Sequence, residues 1–283
     1  MSALEKEVLS WFEKNKRDLP WRSSTPWGVM VSEFMLQQTP VVRVLPKWNE
    51  WLQRWPTPTD LSKASTAEVI TAWGRLGYPR RALRLHEASK VIVRDFNGDI
   101  PSDEEKLRSL PGVGEYTAAA IASFAFNQEA LVMDINIRRL FARVIDGVEY
   151  PTSAPTKKER DARQELIPNK DAHIWAAGTM ELGALICTSR SPKCEICPIK
   201  SKCTWRNSGY PKSEQVRKGQ SWHGTDRQCR GKIVQALREN NFLTEEQIKL
   251  LWNQDSQVEK AIETLLKDGL IEQNLKAYSL PST

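Results

Sequence analysis

The chain has 283 residues, 40% of them apolar and 27% charged, with 41 Lys+Arg against 35 Asp+Glu for a formal net charge of +6. That length accommodates two domains, and the apolar share excludes a disordered tail. The charged, amphipathic start MSALEKEVLSWFEKNKRDLP excludes the apolar core of a secretory signal, and no apolar run reaches the length of a membrane span, so a reducing cytosol is expected and a polyanionic partner fits the charge.

Helical periodicity dominates residues 1–187. ALEKEVLSWFEKN brings Leu4, Val8, Trp11 and Phe12 onto one face, and VVRVLPKWNEWLQRW and RALRLHEASKVIVRDF repeat the pattern. Loops with Pro or Gly (RWPTPTD, FNGDIPSDEE, GVEYPTSAPT) separate the helices, so this part reads as an all-α bundle. Within it LPGVGEYTAAA (110–120) sets Gly112, Val113 and Gly114 ahead of an alanine-rich helix. Two glycines there can aim successive backbone N–H groups outward at a helix start, a nest for phosphate; a plain helix–turn–helix corner has the same signature. Further on, in LVMDINIRRLFARV, Asp134 stands at the junction into a helix, as an N-cap or as a carboxylate facing a cleft.

Cys187, Cys194, Cys197 and Cys203 follow with the spacing C-x6-C-x2-C-x5-C, four of the five cysteines within 17 residues. Zinc sites normally use two close pairs, whereas a cubane of four irons is suited by one close pair with longer arms; Cys229 is left as a non-ligand. The 206–230 stretch is polar and basic, a backbone-facing stripe or a solvated linker. Beyond it GKIVQALREN, TEEQIKLLW and SQVEKAIETLLKDG read as helices and LIEQNLKAYSL as a hairpin, together a winged-helix-like module over 231–283. Such modules bind DNA or proteins, and some only pack.

LPGVG, an aspartate about twenty residues later and the four-cysteine spacing together resemble the endonuclease III superfamily of DNA glycosylases. DLPWR (18–22) and VSEFMLQQTP (31–40) resemble its MutY-type adenine-specific branch, and the likeness spans about residues 10–205. It implies a mainly α, helix–hairpin–helix glycosylase fold over 1–205, a four-iron four-sulfur (4Fe-4S) cluster loop at 187–203, and removal of adenine from mismatched or damaged base pairs in duplex DNA. Such an enzyme is expected to act as a monomer in the cytoplasm, associated with the nucleoid.

By that resemblance Glu33 is the acid that protonates adenine N7, buried and with a raised pKa. Asp134 stabilises the sugar cation and Asn136 supports it. Leu19, Trp21 and Arg22 line the adenine pocket; Gln38, Thr39 and Leu76 contact the opposing purine; Tyr78 is the wedge inserted into the stack. Tyr116 stands where strand-nicking relatives carry a lysine, and a phenol cannot form a Schiff base, so hydrolysis without nicking is implied.

The sequence departs from the pattern at Ile135, at Pro79 (an aromatic in the family) and at Ala177 (often Gln or Glu), and it contains no Phe-Ser-His stretch of the kind a Nudix-like 8-oxoguanine-reading domain uses. Two other readings share these features: a thymine or uracil mismatch glycosylase of the same fold, and a non-catalytic iron–sulfur DNA-binding protein. Glu33 opposes the first, because a pyrimidine offers no N7. Retention of both carboxylates opposes the second.

Overall fold

The computed structural model describes residues 1–213 and 222–282. They are mostly helical, and the three short strands all lie beyond residue 242. The chain divides into two compact units, each assembled from separated stretches: Met1–Val29, Ser102–Ser109 and Val113–Arg217 form the first, and Met30–Pro101, Leu110–Gly112 and Lys218–Thr283 the second. The division at Val29 falls inside one helix, Pro26–Leu36. Among the described residues no helix is long and apolar enough to cross a membrane.

In the first unit, helix Ala3–Asn15 opens on a reciprocal cap, Ser2 accepting from the Glu5 N–H and Glu5 from the Ser2 N–H. Val8 and Phe12 of its expected apolar face are buried, while Leu4 and Trp11 are half-buried. Helix Ala172–Leu185 comes close to it at Gly178, where a Cβ would stand 3.3 Å from Val8 Cγ1 and 3.4 Å from Phe12 Cβ. Helix Glu115–Phe126 buries every residue from Thr117 to Ser123, its alanines allowing neighbours to approach on all sides. Helix Ile135–Val144 is buried from Ile137 onward, and three of those residues are arginines, Arg138, Arg139 and Arg143. A buried guanidinium must find acceptors or counter-charge. Arg138 pairs with Glu159 at 2.7 Å; the other two serve the candidate site described below.

In the second unit, helix Val41–Arg54 buries Val44, Trp48 and Trp51, and Trp51 meets Trp55 and Trp73 edge-on with ring centroids 4.6 and 5.6 Å away. Helix Arg80–Phe96 packs Leu85, Ala88 and Ile92 inward and stops at Asn97 in the left-handed region. The C-terminal part runs helix Asp226–Glu239, strand Leu243–Thr244, helices Glu245–Lys249 and Asp255–Lys267, then strands Glu272–Asn274 and Ala277–Ser279. The hairpin expected in 270–280 forms, turning at Leu275 with φ 56°. Its last strand also pairs antiparallel with Leu243–Thr244, a strand the sequence pattern did not announce. Cys229, Ile233, Leu237, Val258, Leu265 and Tyr278 share one apolar core with Ile70 of helix Thr66–Trp73. Of the 206–230 stretch, Arg206 and Asn207 end a short helix and 226–230 already belong to the next, while 214–221 lie outside the described residues.

Candidate active site

In the Leu110–Gly114 turn the two glycines serve different ends. Gly112 takes φ +80°, and a Cβ there would lie 2.6 Å from Arg84 Cβ and 3.0 Å from Phe34 Cε1, so both conformation and space require glycine. Gly114 is the N-cap of helix Glu115–Phe126 with φ −91° and ψ 179°, angles open to any residue, and a Cβ there would meet nothing within 4 Å. The protein's own packing therefore gives no reason for glycine at 114; an external group approaching the bare backbone would. Val113 between them is buried, and Tyr116 is half-buried in the first turn of the helix.

Asp134 is the N-cap of helix Ile135–Val144, as the plainer of its two sequence readings held, and it is also a half-buried carboxylate. Oδ1 accepts from the Ile137 N–H at 2.6 Å and Oδ2 from Asn136 Nδ2 at 2.6 Å. Burial pushes its pKa above the ordinary aspartate value, opposed by the hydrogen bonds from Ile137 and Asn136 and by the Arg139 charge. Arg139 braces this end of the helix: Nη2 donates to Asn136 Oδ1 at 2.9 Å and to the Gly183 carbonyl at 2.7 Å, and Nε donates to the Cys187 carbonyl at 2.7 Å. Gly183 lies so close that a Cβ would stand 2.6 Å from the Asn136 carbonyl oxygen.

Leu19 and Trp21 are buried at the short helical turn Pro20–Ser23, and Arg22 reaches Glu181 at 3.1 Å. Glu181 also accepts from the Arg17 N–H at 2.9 Å and from its guanidinium at 2.8 and 2.7 Å. Burial raises the cost of its charge, yet those hydrogen bonds and the two guanidiniums hold it below the usual carboxylate range. Ala177 lies one turn before Glu181 on the same helix, Ala172–Leu185.

In the second unit Glu33 is buried on the Pro26–Leu36 helix, 6% exposed among Ser32, Phe34 and Met35. Arg81 ties the neighbouring positions together. Its Nη1 donates to the Phe34 and Met35 carbonyls (2.9 and 3.2 Å), and Nη2 to Thr39 Oγ1 and the Gly77 carbonyl (3.0 Å each). Its plane lies over Trp73 and Tyr78, 5.3 and 5.6 Å from the ring centroids, and burial draws its pKa down to about 10. Thr39 Oγ1 lies 3.2 Å from the Leu76 carbonyl. Gln38 and Tyr78 adopt φ +54° and +46°, a left-handed backbone that side chains other than glycine rarely hold and that clusters at functional sites. Thr39 and Tyr78 thus meet at Arg81, with Leu76 joined to them through Thr39, while Gln38 is only the chain neighbour of Thr39.

The four cysteines fit the expected cluster. Cys187, Cys194, Cys197 and Cys203 line one pocket of about 330 Å³, yet among the described residues no three donors converge on a point that would hold a single ion. Burial pushes the Cys197 thiol up to about 11 and raises that of Cys203 as well, so these two ionise only with strong positive charge beside them. Arg143, 1% exposed, donates to the Thr188 and Ser189 carbonyls at 2.7 and 3.0 Å and to Cys187 Sγ at 3.4 Å, and it stacks on Trp205 at 4.7 Å. Among the described residues it has no carboxylate partner; an anionic thiolate cluster would supply the missing counter-charge.

A protein from Mycobacterium tuberculosis named adenine DNA glycosylase is 45% identical over 281 residues, covering 97% of this chain and 92% of its own length. The chain belongs to the adenine DNA glycosylase family. The family member from Mycolicibacterium smegmatis is also 45% identical, over 96% of this chain and 94% of its own. The human one is 39% identical over 73% of this chain, which is 40% of its own length.

Residues 31–168 match the family described as HhH-GPD superfamily base excision DNA repair protein, and 187–203 match the iron–sulfur binding domain of endonuclease III. The adenine DNA glycosylase carries one four-iron four-sulfur cluster, and the four cysteines are the residues that would hold it. A solved thermostable thymine-DNA glycosylase superposes with a TM-score of 0.68 at 26% identity, over 72% of this chain and 95% of that one. An endonuclease III from a non-covalent DNA complex gives 0.64 at 21%, over 72% and 94%, and shares the fold.

The first unit carries Leu19, Trp21, Arg22, Val113, Gly114, Tyr116, Asp134, Asn136 and the cysteines; the second carries Glu33, Gln38, Thr39, Leu76, Tyr78 and Gly112. Sequence reasoning passed over Arg81, Arg143, Glu181 and Gly183. The one local signal was the pair Arg139 and Arg143, spaced i, i+4 on an otherwise buried helix.

Proposed function

We propose that this adenine DNA glycosylase hydrolyses the N-glycosidic bond of adenine mispaired with 8-oxoguanine, guanine or cytosine in duplex DNA and leaves the strand intact. The nucleotide must leave the stack for its sugar carbon to be reached, and Leu19, Trp21 and Arg22 receive the base. Arg22 is held by the Glu181 carboxylate that also fixes Arg17. Glu33 gives its proton to adenine N7, making the base a neutral leaving group. Asp134 stays ionised against the developing sugar cation while Asn136 fixes the orientation of its carboxylate. Tyr116 offers no amine, so water completes the substitution at the sugar. The Gly112–Gly114 turn clamps backbone phosphate with Gly114 as the open approach. The cluster, when bound, supplies positive charge that keeps the thiolates ionised and the 187–203 loop folded. The enzyme works as a monomer in the cytoplasm at the nucleoid.

Asp134 carries this reading. A half-buried carboxylate with an elevated pKa, one oxygen on a backbone N–H and the other on an amide, is costly to maintain for capping alone. The test is incubation of cluster-replete protein with A·8-oxoG, A·G, A·C and T·G duplexes followed by alkali. Strand breaks at adenine in the first three are expected. Breaks only in T·G would transfer the assignment to a thymine glycosylase, and none in any would reject enzymatic activity.

A further inference from the structure

Five arginines of the second unit each meet a carboxylate. Arg54 pairs with Glu68 at 2.5 Å, Arg84 with Glu87 at 2.7 Å and Arg94 with Asp95 at 2.6 Å, while Arg80 and Arg230 share Asp268 at 3.3 and 2.5 Å. Arg43, Arg75 and Arg238, all in the same unit, do not: among the described residues none of them has a carboxylate partner. Yet the fold draws the three together. The Arg43 guanidinium donates to the Arg75 carbonyl. Arg238 Nε donates to the Ile70 carbonyl at 3.1 Å and its Nη1 to Gln235 Oε1 at 3.3 Å. Ile70 lies in the last turn of helix Thr66–Trp73, which runs straight into the Gly74–Leu76 turn that holds Arg75.

The cluster is fixed by the backbone. Gly74 (φ +56°) and Gly77 (φ +87°) take angles closed to most side chains and bracket Arg75, which is exposed and whose side chain makes no bond among the described residues. Arg238 arrives from the C-terminal helix Asp226–Glu239, which is anchored at this place. Ile70 sits in that part's apolar core, and the Ala67 N–H donates to the Pro281 carbonyl at 2.9 Å. Burial, and after it the Arg75 charge, draw the Arg238 pKa down to about 10. The nearest other charges are already engaged, Lys47 with Glu50 at 2.6 Å and Glu68 with Arg54. One cation is favourable at the carboxyl end of helix Thr66–Trp73. Three guanidiniums without counter-charge repel one another, and an external anion would relieve them.

We propose that Arg43, Arg75 and Arg238 form a phosphate site for the DNA strand opposite the excised adenine, through which the C-terminal helices grip the duplex by backbone charge alone. This rests on the adenine glycosylase reading, in which Leu76 meets a base of that strand and Tyr78 enters the stack. Arg75 directly precedes Leu76, so a strand engaged by Leu76 carries its backbone past this turn. A phosphodiester accepts paired N–H groups from a guanidinium and supplies the charge the three lack. It carries no base identity, so the site adds affinity and register to the enzyme, and no selectivity. The C-terminal part is thereby a DNA-holding module, joined to the catalytic chain at the turn it helps to charge.

The test uses the full cluster-replete chain and duplexes in which a tetrahydrofuran abasic analogue stands opposite 8-oxoguanine or cytosine, so that binding is read without chemistry. Dissociation constants are measured over a salt series for wild type, Arg43→Gln, Arg75→Gln, Arg238→Gln and Arg238→Lys, with thermal melting of the DNA-free proteins. Each Gln variant is expected to bind both duplexes about three- to tenfold more weakly and to reduce the salt slope by about one. Arg238→Lys keeps the charge and is expected to keep the slope, which separates charge from packing if Arg238→Gln melts early. Arg75→Gln breaks no bond of the folded chain and is expected to melt no lower than wild type. A second arm replaces single phosphates of the strand opposite the analogue by neutral methylphosphonates. One such replacement is expected to weaken wild type and leave Arg75→Gln unaffected. An unchanged slope in any Gln variant, or weakening confined to the 8-oxoguanine duplex, would overturn the proposal. So would methylphosphonates that act alike on wild type and Arg75→Gln at every position. Absence of adenine release from A·8-oxoG by wild type rejects the glycosylase reading separately.

Discussion

Replacing Gly183 by alanine puts one methyl group against the helix end that carries Asp134. The added Cβ would stand 2.6 Å from the Asn136 carbonyl oxygen, 2.8 Å from its carbon and 2.9 Å from Asn136 Cβ, so the obstacle is mostly backbone. Restoring ordinary contact at 3.4 Å means a shift of about 0.8 Å, the difference between 3.4 and 2.6 Å. That displacement falls on Asn136, whose amide holds Asp134 Oδ2 at 2.6 Å and whose own oxygen is held by Arg139 at 2.9 Å. Overpacking of this kind costs about 1–3 kcal/mol of stability, and misplacing a catalytic group by about 1 Å can cost up to about a hundredfold in rate. Single-turnover adenine excision from an A·8-oxoG duplex, with thermal melting alongside, reads both quantities. Gly178→Ala is the control: the atoms nearest its Cβ belong to the Val8 and Phe12 side chains, at 3.3–3.5 Å, and these can yield. A Gly183→Ala protein that melts like wild type and excises within about twofold of its rate would refute the link between this packing contact and the carboxylate.

Burial already places the acid limb of the excision profile above the ordinary aspartate value, and Asn136→Leu removes a hydrogen bond that pulls the Asp134 pKa down, so a pH–rate series should show that limb moving to still higher pH in the variant. Borohydride should trap no wild-type protein on DNA, whereas Tyr116→Lys should yield a covalent complex on a denaturing gel; efficient trapping of wild type would contradict the hydrolytic assignment. Cys197→Ser is expected to lose iron and acid-labile sulfide and to melt at lower temperature, because Arg143 is left buried without counter-charge. His86, buried with a pKa lowered to about 4, leaves the unfolded chain binding a proton that the folded one refuses between about pH 6.5 and 4. Melting temperature should therefore fall across that window as pH drops, and less steeply in His86→Gln.

The features legible in the sequence were those written in local spacing. The cysteine arrangement, the helix periodicity of residues 3–15, 41–54 and 80–96, and the glycine turn are all short-range patterns. Arg81 was not legible, because its acceptors at Phe34, Met35, Thr39 and Gly77 come together only through folding, and an arginine in YPRRA looks like any surface charge. Glu181 hid likewise: its partners Arg17 and Arg22 lie about 160 residues away. Gly112 and Gly114 look alike in sequence, yet only the first needs its conformational freedom, a difference set by the presence or absence of neighbouring atoms. The division inside helix Pro26–Leu36 leaves no compositional trace, since a continuous helix needs no linker there.

The second unit's core joins Ile70 to residues contributed from Cys229 to Leu280, so it cannot close while the first hundred residues stand alone. During synthesis Ile70, with Ala67 and Leu83 beside it, waits through the emergence of more than half the chain before its partners leave the ribosome. Nascent chains are thus open to chaperone capture over that interval, and a fragment stopping just after the cysteine loop would present the same apolar surface permanently and be prone to self-association.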